Sequence, residues 1–566
     1  MRIRKLSAIA VGAASLALVA AGCTSGDTDE GSTTEESSSS SGETAQGEVL
    51  TVGMPNGTQT ENQSPFATGS SALSLGYAFV IYEPLMMLND AKPSDDPLPW
   101  LADSIEWNED FTEAVITPHA GVQWSDGEDM TVDDIAFSIN LRKDNEALNT
   151  AALPYKDVTV DGDSVTVSFE APQFVNQAKL ADLLVVPEHI WKDVDDPTTF
   201  ENTDPIGTGP MTLKSWTPQA ATVVANENYW GGTPAVPEIR YSSYTDNNAL
   251  TTALTTGEAQ WGWTFIADYE NVYIAQDPDH YHQYAAAGLG IDALFLNNEE
   301  KPFDDLAFRK ALNMVVDRQE LVDIATSGVN PALTSVTGMP MPAGQDFLNP
   351  DITDEFAVDL DGAKKILEDA GYTGVGDKLV DPDGEDVTFE LINPAGWNDY
   401  LTALDLIKNA AATLGVEATV NPTNQDGWFA DTIPLGNFDA TLHWTDGGAT
   451  PWDMYANIMD GAQYQPLGEP ANWNFGRFQN DDVTKALETY ASTTDDAERT
   501  EALNTVQQVF VDEVPALAIW SRPATAQYSS LNYTGWPSED DPYNQPQPTG
   551  SQAAQIVMKL QVNDEG

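Results

Sequence analysis

From Val49 onward, short runs of β-branched or apolar residues alternate with stretches whose apolar positions recur at helical spacing, the pattern of an α/β protein. Val165 to Phe169 alternates apolar and polar side chains and reads as a half-buried strand, and Phe389 to Ile392 reads similarly. Thr131 followed by Asp134 opens a helix through Ile135, Phe137 and Ile139. There the hydroxyl can cap the first turn, and the carboxylate faces the positive helix end. Asp361 precedes Ala363, Ile366, Leu367 and Ala370, spaced to share one helical face, and Gly371 stops that helix. Leu503, Val506 and Phe510 form another such face, closed by Val514 and Pro515. These stripes are core positions. No internal repeat of about 20 to 50 residues appears, which argues against a solenoid or a propeller.

The N-terminus follows a different pattern. Arg2, Arg4 and Lys5 precede an uncharged run, Leu6 to Gly22, rich in Ala, Leu and Val, as in a secretory signal. The run ends in Ala20, Ala21, Gly22 and Cys23, which resembles the lipobox at which bacterial lipoproteins are cut and diacylated on the cysteine, with Ala20 where that motif prefers leucine. An ordinary signal with an incidental cysteine is the alternative. Cys23 is the only cysteine in 566 residues, and it stands where a lipid signal needs it. Thr24 to Gly47 is mostly Ser, Thr, Gly and Glu, a composition that cannot offset its ordering entropy, and reads as a tether. No later segment holds roughly 18 uninterrupted apolar residues, so no other bilayer span is expected.

A lone cysteine excludes intramolecular disulfides, so the folded body must rely on core burial. With 41% hydrophobic residues, 15 Trp, 18 Tyr and 19 Phe, two or three large units can form. Formal charge is −65; without Arg2, Arg4 and Lys5, the 24 basic residues become 21 against 89 acids. Nucleic acid and anionic lipid are therefore poor partners. The acidity suits solubility in a salty exterior, and a cleft in this field would favour neutral or cationic ligands.

Several segments, in order, resemble the extracellular solute-binding family that serves peptide-, nickel- and some oligosaccharide-type ABC importers. They are Pro97 to Ala102; Gly121 to Gly127 leading into Thr131 to Ser138; Val186 to Ile190; Pro205 to Pro210; Asn228 to Gly232; and Asn297 with Pro302 to Asp305 and Arg309 to Arg318. The resemblance runs from about Val49 to Trp536. Read physically, Trp124 to Gly127 is a tight turn, and Gly207 and Gly209 lack the spacing and the lysine of a nucleotide loop, so a segment crossing between subdomains is expected there.

The resemblance implies a two-lobed periplasmic-binding-protein-type clamp of α/β class with an inserted subdomain in the first lobe. Lobe I would comprise residues 48–84, 204–288 and 519–566, the insertion 85–203, and lobe II 289–518. Two chain crossings would form the hinge, so that closure buries a ligand without rebuilding either core. A small organic oligomer, an ABC permease and a membrane reached through Cys23 are the implied partners, with a monomer expected and no cofactor.

Aromatic faces give a cleft contact area. Trp107, Trp124, Trp191, Trp216 and Trp230 read as core; Trp261, Trp263, Trp397, Trp428, Trp444 and Trp452, in loops after presumptive strands, are cleft candidates. In peptide-binding relatives an aspartate three residues after the motif tryptophan pairs with the ligand's α-amino group. Here that place is Gly447, and Asp446 stands one residue early, where a strand would turn it to the other face. The glycine and the aromatic segment Trp444 to Tyr455 are similar to the oligosaccharide-binding branch, so peptide and sugar both stay open. A transition metal fits poorly, because only five His exist and His280 with His282 is a single pair. A secreted glycoside hydrolase is the rival class. It would need two carboxylates flanking a cleft, and Asp133, Asp134, Asp304 and Asp305 are explained as acids at helix N-termini.

If Cys23 carries the lipid, Cys23→Ala should move the protein from the membrane fraction to the soluble fraction. A variant that sediments with membranes like the wild type contradicts the anchor.

Overall fold

The computed structural model describes residues 48–563 apart from Thr68 and Ser94. The expected signal, Cys23 and the tether lie outside the described residues.

Three sheets organise the body. A seven-stranded mixed sheet has the order Tyr281–Ala286, Ala524–Ser529, Trp261–Gly262, Leu50–Met54, Glu238–Ser243, Ala220–Ala225 and Met211–Thr217. Leu50–Met54 sits inside it, parallel to both neighbours, and reads as a nearly continuous apolar run because parallel strands are covered on both faces. The second sheet has five strands, Glu417–Thr423, Thr388–Pro394, Ala440–Trp444, Ile291–Leu296 and Ala516–Ser521. Each sheet closes its own hydrophobic core. These are the two lobes.

The third sheet, Ala102–Trp107, Glu113–Pro118, Ser164–Phe169 and Tyr155–Asp161, is antiparallel and carries a separate core. On Ser164–Phe169 the side chains of Val165, Val167 and Phe169 turn inward and the residues between them do not, the alternation expected of this segment. The helix Val132–Asp144 packs against this sheet. Its first turn is closed by Asp134, whose Oδ2 accepts from Thr131 N at 2.8 Å while Oδ1 accepts from Glu188 N at 2.9 Å. One buried carboxylate thus ties together two segments that lie 54 positions apart.

Between the first two sheets the chain crosses twice, from Ala286 to Ile291 and back from Ser521 to Ala524. The return strand, Ala516–Ser521, pairs along its length with Ile291–Leu296 and is wholly buried. The chain therefore leaves the five-stranded sheet after Ser521, three residues later than the expected boundary at Ala518.

One helix expectation differs in detail and another holds. The helix Leu360–Asp369 starts from Asp359, whose carboxylate accepts from Gly362 N, so Asp361 lies in the first turn. Ala363 and Leu367 are buried, but Ala370, the C-cap just beyond the helix, is exposed before Gly371 turns the chain at φ 94°. The helix Asp496–Glu513 buries Leu503, Val506 and Phe510 and ends at Val514, as expected, with that residue in the left-handed region and Pro515 unable to continue the helix.

Gly207 and Gly209 are required by close backbone approach. A Cβ on Gly207 would lie 1.9 Å from the Ile81 carbonyl oxygen, and one on Gly209 2.4 Å from that of Val80. Gly209 N donates to Ile81 O, and Gly207 O accepts from Ser125 N in the Trp124 to Gly127 turn, so this segment joins the subdomain turn to the first lobe.

The junction centres on Glu83, fully buried where the chain leaves the first lobe. Its carboxylate accepts from Trp100 Nε1 at 2.8 Å, the Tyr229 hydroxyl at 2.8 Å and Trp230 Nε1 at 3.0 Å. The aromatic residues of the Pro97 to Ala102 and Asn228 to Gly232 segments thus have a common partner. Burial pushes the Glu83 carboxyl from 4.5 up to about 7, against the opposing pull of these donors. A carboxyl raised on folding binds more protons in the native state, so its contribution to stability improves as pH falls from about 7 toward 4.5. Glu83→Gln should remove that dependence. The stability of wild type relative to Glu83→Gln, from urea unfolding, is expected to rise by up to about 3 kcal/mol across this window, and a pH-independent difference contradicts the assignment.

Candidate ligand-binding cleft

Two cavities flank the crossings. The larger, about 740 Å³, is bounded by Ser104, Ile105 and Trp107 of the four-stranded sheet, by the crossing from Ala286 to Gly290, and by the loop from Gly447 to Ala449. Trp107, read from sequence as core, is half-buried, stacked on Phe169, and forms part of this wall. The smaller, about 310 Å³, lies between the strand ends of the first lobe, with Trp263 and Thr264, and the aromatic face of the second, with Trp397, Tyr400, Phe429 and Trp444. Arg522, on the return crossing, lines both.

The electrostatics of the join turn on Asp292. It is 3% exposed, and its Oδ2 accepts from Trp520 Nε1 at 2.5 Å while Oδ1 lies 3.6 Å from Arg522 Nε. Burial pushes its carboxyl up, and Arg522 and Trp520 oppose the shift. The Arg522 guanidinium also lies over the Trp444 ring, 4.8 Å from its centre. Beside them Asp399 is pushed up to about 6, chiefly by burial.

The candidate residues divide into three groups. Trp263, Trp397 and Trp444 come together in the smaller chamber, and Gly447 lines the larger. Trp444 ends its strand and is half-buried, with Trp397 at 6.2 Å between ring centres. A Cβ on Gly447 would meet the backbone N of Gly290 at 3.4 Å, so this loop packs against the crossing itself. Asp446 is exposed at the rim, and its own N–H is held by Asn457 Oδ1 at 2.7 Å. Its strand has ended at Trp444, so strand alternation does not govern where it points. Crowding by surrounding protein pushes its carboxyl up to about 6, with Asp453 adding and Lys179 and Arg522 opposing.

Three candidates must be corrected. Trp261 is fully buried in the core of the first lobe, where its indole donates to Pro546 O at 2.8 Å. Trp428 is equally buried, bonded to Thr441 Oγ1 and stacked on His443, so it backs the aromatic face without reaching the cavity. Trp452 lines neither cavity; its indole donates to Leu487 O at 3.0 Å. In each case a carbonyl or hydroxyl inside the lobe satisfies the indole N–H, which lets the ring sit inside. Sequence reasoning missed Arg522, Asp292, Asp399 and Tyr400. The available signal was an arginine and a proline directly after the buried run Ala516 to Ser521.

Contacts also bridge the lobes. Lys179, on the helix Gln177–Ala181 that packs on the four-stranded sheet, pairs with Asp453 of the second lobe at 3.2 Å. Nearby, the Arg499 guanidinium lies 3.5 Å over the Phe174 ring, and Tyr490 meets the same ring edge-on. On another flank Asp268 N donates to Ser327 Oγ at 3.1 Å.

Two independently cored lobes, joined by paired crossings with cavities at the join, define a clamp of the solute-binding type. The family model for bacterial extracellular solute-binding proteins, family 5 (middle region), matches residues 96–465, and the chain belongs to that family. The glutathione-binding protein GsiB of Salmonella paratyphi A is 25% identical over 452 residues, 77% of this chain and 82% of that protein. Protein XP55 of Streptomyces lividans is 29% identical, and the chain spans about half the length of that relative (52%), through 51% of its own. A periplasmic oligopeptide-binding protein of an oligopeptide ABC transporter from Thermotoga maritima superposes with TM-score 0.80 at 23% identity, over 91% of this chain and 99% of that one. A structure of the same Thermotoga protein with mannohexaose bound gives 0.76 at 21% identity, over 92% and 100%. The oligopeptide-binding protein AppA of Bacillus subtilis, in complex with a nonapeptide, gives 0.74 at 20% identity, over 92% and 100%. Membership of that family makes the chain a solute-binding protein.

Lys179→Ala leaves the buried Asp453 without its counter-charge across the cleft, which disfavours the closed arrangement. Small-angle scattering of the variant without ligand is expected to give a larger radius of gyration than the wild type, and an unchanged radius contradicts a role for this pair in closure.

Proposed function

We propose that this protein captures a small organic oligomer, a peptide or an oligosaccharide, between its lobes and hands it chemically unaltered to an ABC permease. It would do so as a monomer tethered by lipid on Cys23 to the outer face of the cytoplasmic membrane. The observation that carries this reading is the pair of cavities meeting at Arg522, each walled by both lobes. Their volumes lie within the range of about 300–1,000 Å³ common to small-molecule sites. The three sheets support lobes bounded as residues 48–84, 204–288 and the segment after Ser521, with 85–203 as the insertion and 289–521 as the other lobe.

Binding without chemistry is supported by the state of the carboxylates. Asp292 is tied to Trp520 and Arg522, an arrangement suited to holding the hinge rather than to attacking a glycosidic carbon. Among the described residues no group of three or more His, Cys, Asp or Glu is placed to hold a metal, and no helix is long and apolar enough to cross a membrane. The acidic surface favours neutral or cationic guests and gives nucleic acid no footing.

A thermal-shift screen of short peptides and short oligosaccharides tests the reading. A true ligand at about one hundred times its Kd should add about 2.7 kcal/mol to stability and be recovered with its mass unchanged. Release of reducing ends or of amino acids during incubation would overturn it in favour of a hydrolase.

A further inference from the structure

Trp263 differs from the other tryptophans of the smaller chamber. It is half-buried on the cavity wall, yet among the described residues it stacks on no ring and its indole N–H meets no acceptor. From the other lobe, Trp397 and Trp444 line the same space, together with Phe429, one of the few large apolar side chains left substantially exposed. Aromatic surface is therefore offered from both sides of the cleft, and on the first lobe the Trp263 ring is left without a ring partner among the described residues.

Many of the polar groups there are neutral amides and hydroxyls. Asn247 and Gln425 line the cavity and make no side-chain hydrogen bond among the described residues, and Gln283 uses only its carbonyl oxygen, accepting from Gln527. The Thr264 hydroxyl, on a residue 2% exposed, is buried without a partner. Each free carboxamide donates and accepts at once, as a ring hydroxyl does. A buried hydroxyl left unpaired is costly, so a ligand that bonds it gains more than a solvent-facing contact would give.

The charges point the same way. Among the described residues the chamber has no lysine or histidine, and its one cation, Arg522, is already paired with the buried Asp292. A peptide carboxylate would have to compete with Asp292 for Arg522, in a site where Asp399 adds a second acid. A neutral ring brings no ion to desolvate, and its C–H faces can lie on tryptophan while its hydroxyls meet the amides.

We propose that the smaller chamber is a subsite for a neutral sugar ring stacked on Trp263, so that the solute is an oligosaccharide whose remaining units run past Arg522 into the larger cavity. This deepens the solute-binding reading and rests on it.

Titration calorimetry on the mature chain, with mannohexaose, cellohexaose and maltohexaose set beside hexaalanine and glutathione, tests the proposal. At least one hexasaccharide is expected to bind with micromolar or tighter Kd, changing less than twofold between pH 5 and pH 7.5, while hexaalanine and glutathione give no heat. Trp263→Ala should weaken that sugar at least tenfold with the melting temperature of the unliganded protein held, and Trp263→Phe should recover most of the loss. Binding of hexaalanine or glutathione with every sugar inert overturns the sugar assignment and leaves the solute-binding reading standing. Silence from every compound also counts against the sugar assignment, and cleavage of a hexasaccharide overturns both readings. Wild-type sugar affinity in a folded Trp263→Ala protein removes the subsite from this chamber.

Discussion

Asp292 sits at the start of the strand that receives the chain from its first crossing, and it is bonded to a tryptophan on the strand that sends the chain back. Arg522, two residues after that tryptophan, balances its charge. A carboxylate buried to this degree is tolerated only with such partners, because removing it from water unpaired costs far more than any single contact returns. The pair therefore fixes the two crossings relative to each other. The second-lobe walls of the cleft are hung from those crossings: the aromatic face through Trp444, which pairs with Asp292 in the sheet, and the larger cavity through Gly290 and Gly447.

The consequence is a division of labour between rigid and adjustable parts. Each sheet has its own buried apolar core, and the inserted sheet is locked to the first lobe through Glu83 and through the close approach of Gly207 and Gly209 to residues 80 and 81. Bodies built in this way move as units. What lies between the lobes among the described residues is of another kind: the Lys179–Asp453 ion pair with Lys179 also over Trp452, stacking on Phe174, and the Asp268 hydrogen bond. Such contacts are individually weak, so a guest that contributes surface to both lobes is able to decide whether they form.

Much of this was legible along the chain, and the failures have a physical pattern. The alternation of Val165 to Phe169 and the capping of Val132–Asp144 are local, set by neighbours within a few residues, and the structure shows both. Trp261 and Trp263 show where locality ends. They are two positions apart and equal by periodicity, but the strand stops at Gly262, so one ring goes into the core and the other into the cleft. Trp428 was equally ambiguous, since only the positions of Thr441 and His443 in a neighbouring strand decide that it backs the site. Arg522 was invisible as a site residue because its importance comes from Asp292, which lies 230 positions earlier in the chain.

Because Cys23 is the only cysteine, a Cys23→Ala background accepts one spin label on each lobe, at the exposed Asp161 of the inserted sheet and the exposed Glu488 of the helix Asp481–Ser492. Pulsed dipolar spectroscopy between Asp161→Cys and Glu488→Cys then reports lobe separation directly. With any solute that raises the melting temperature, the distance distribution is expected to shorten and narrow as the solute saturates. A distribution that is the same with and without bound solute would contradict a clamp that closes on its guest.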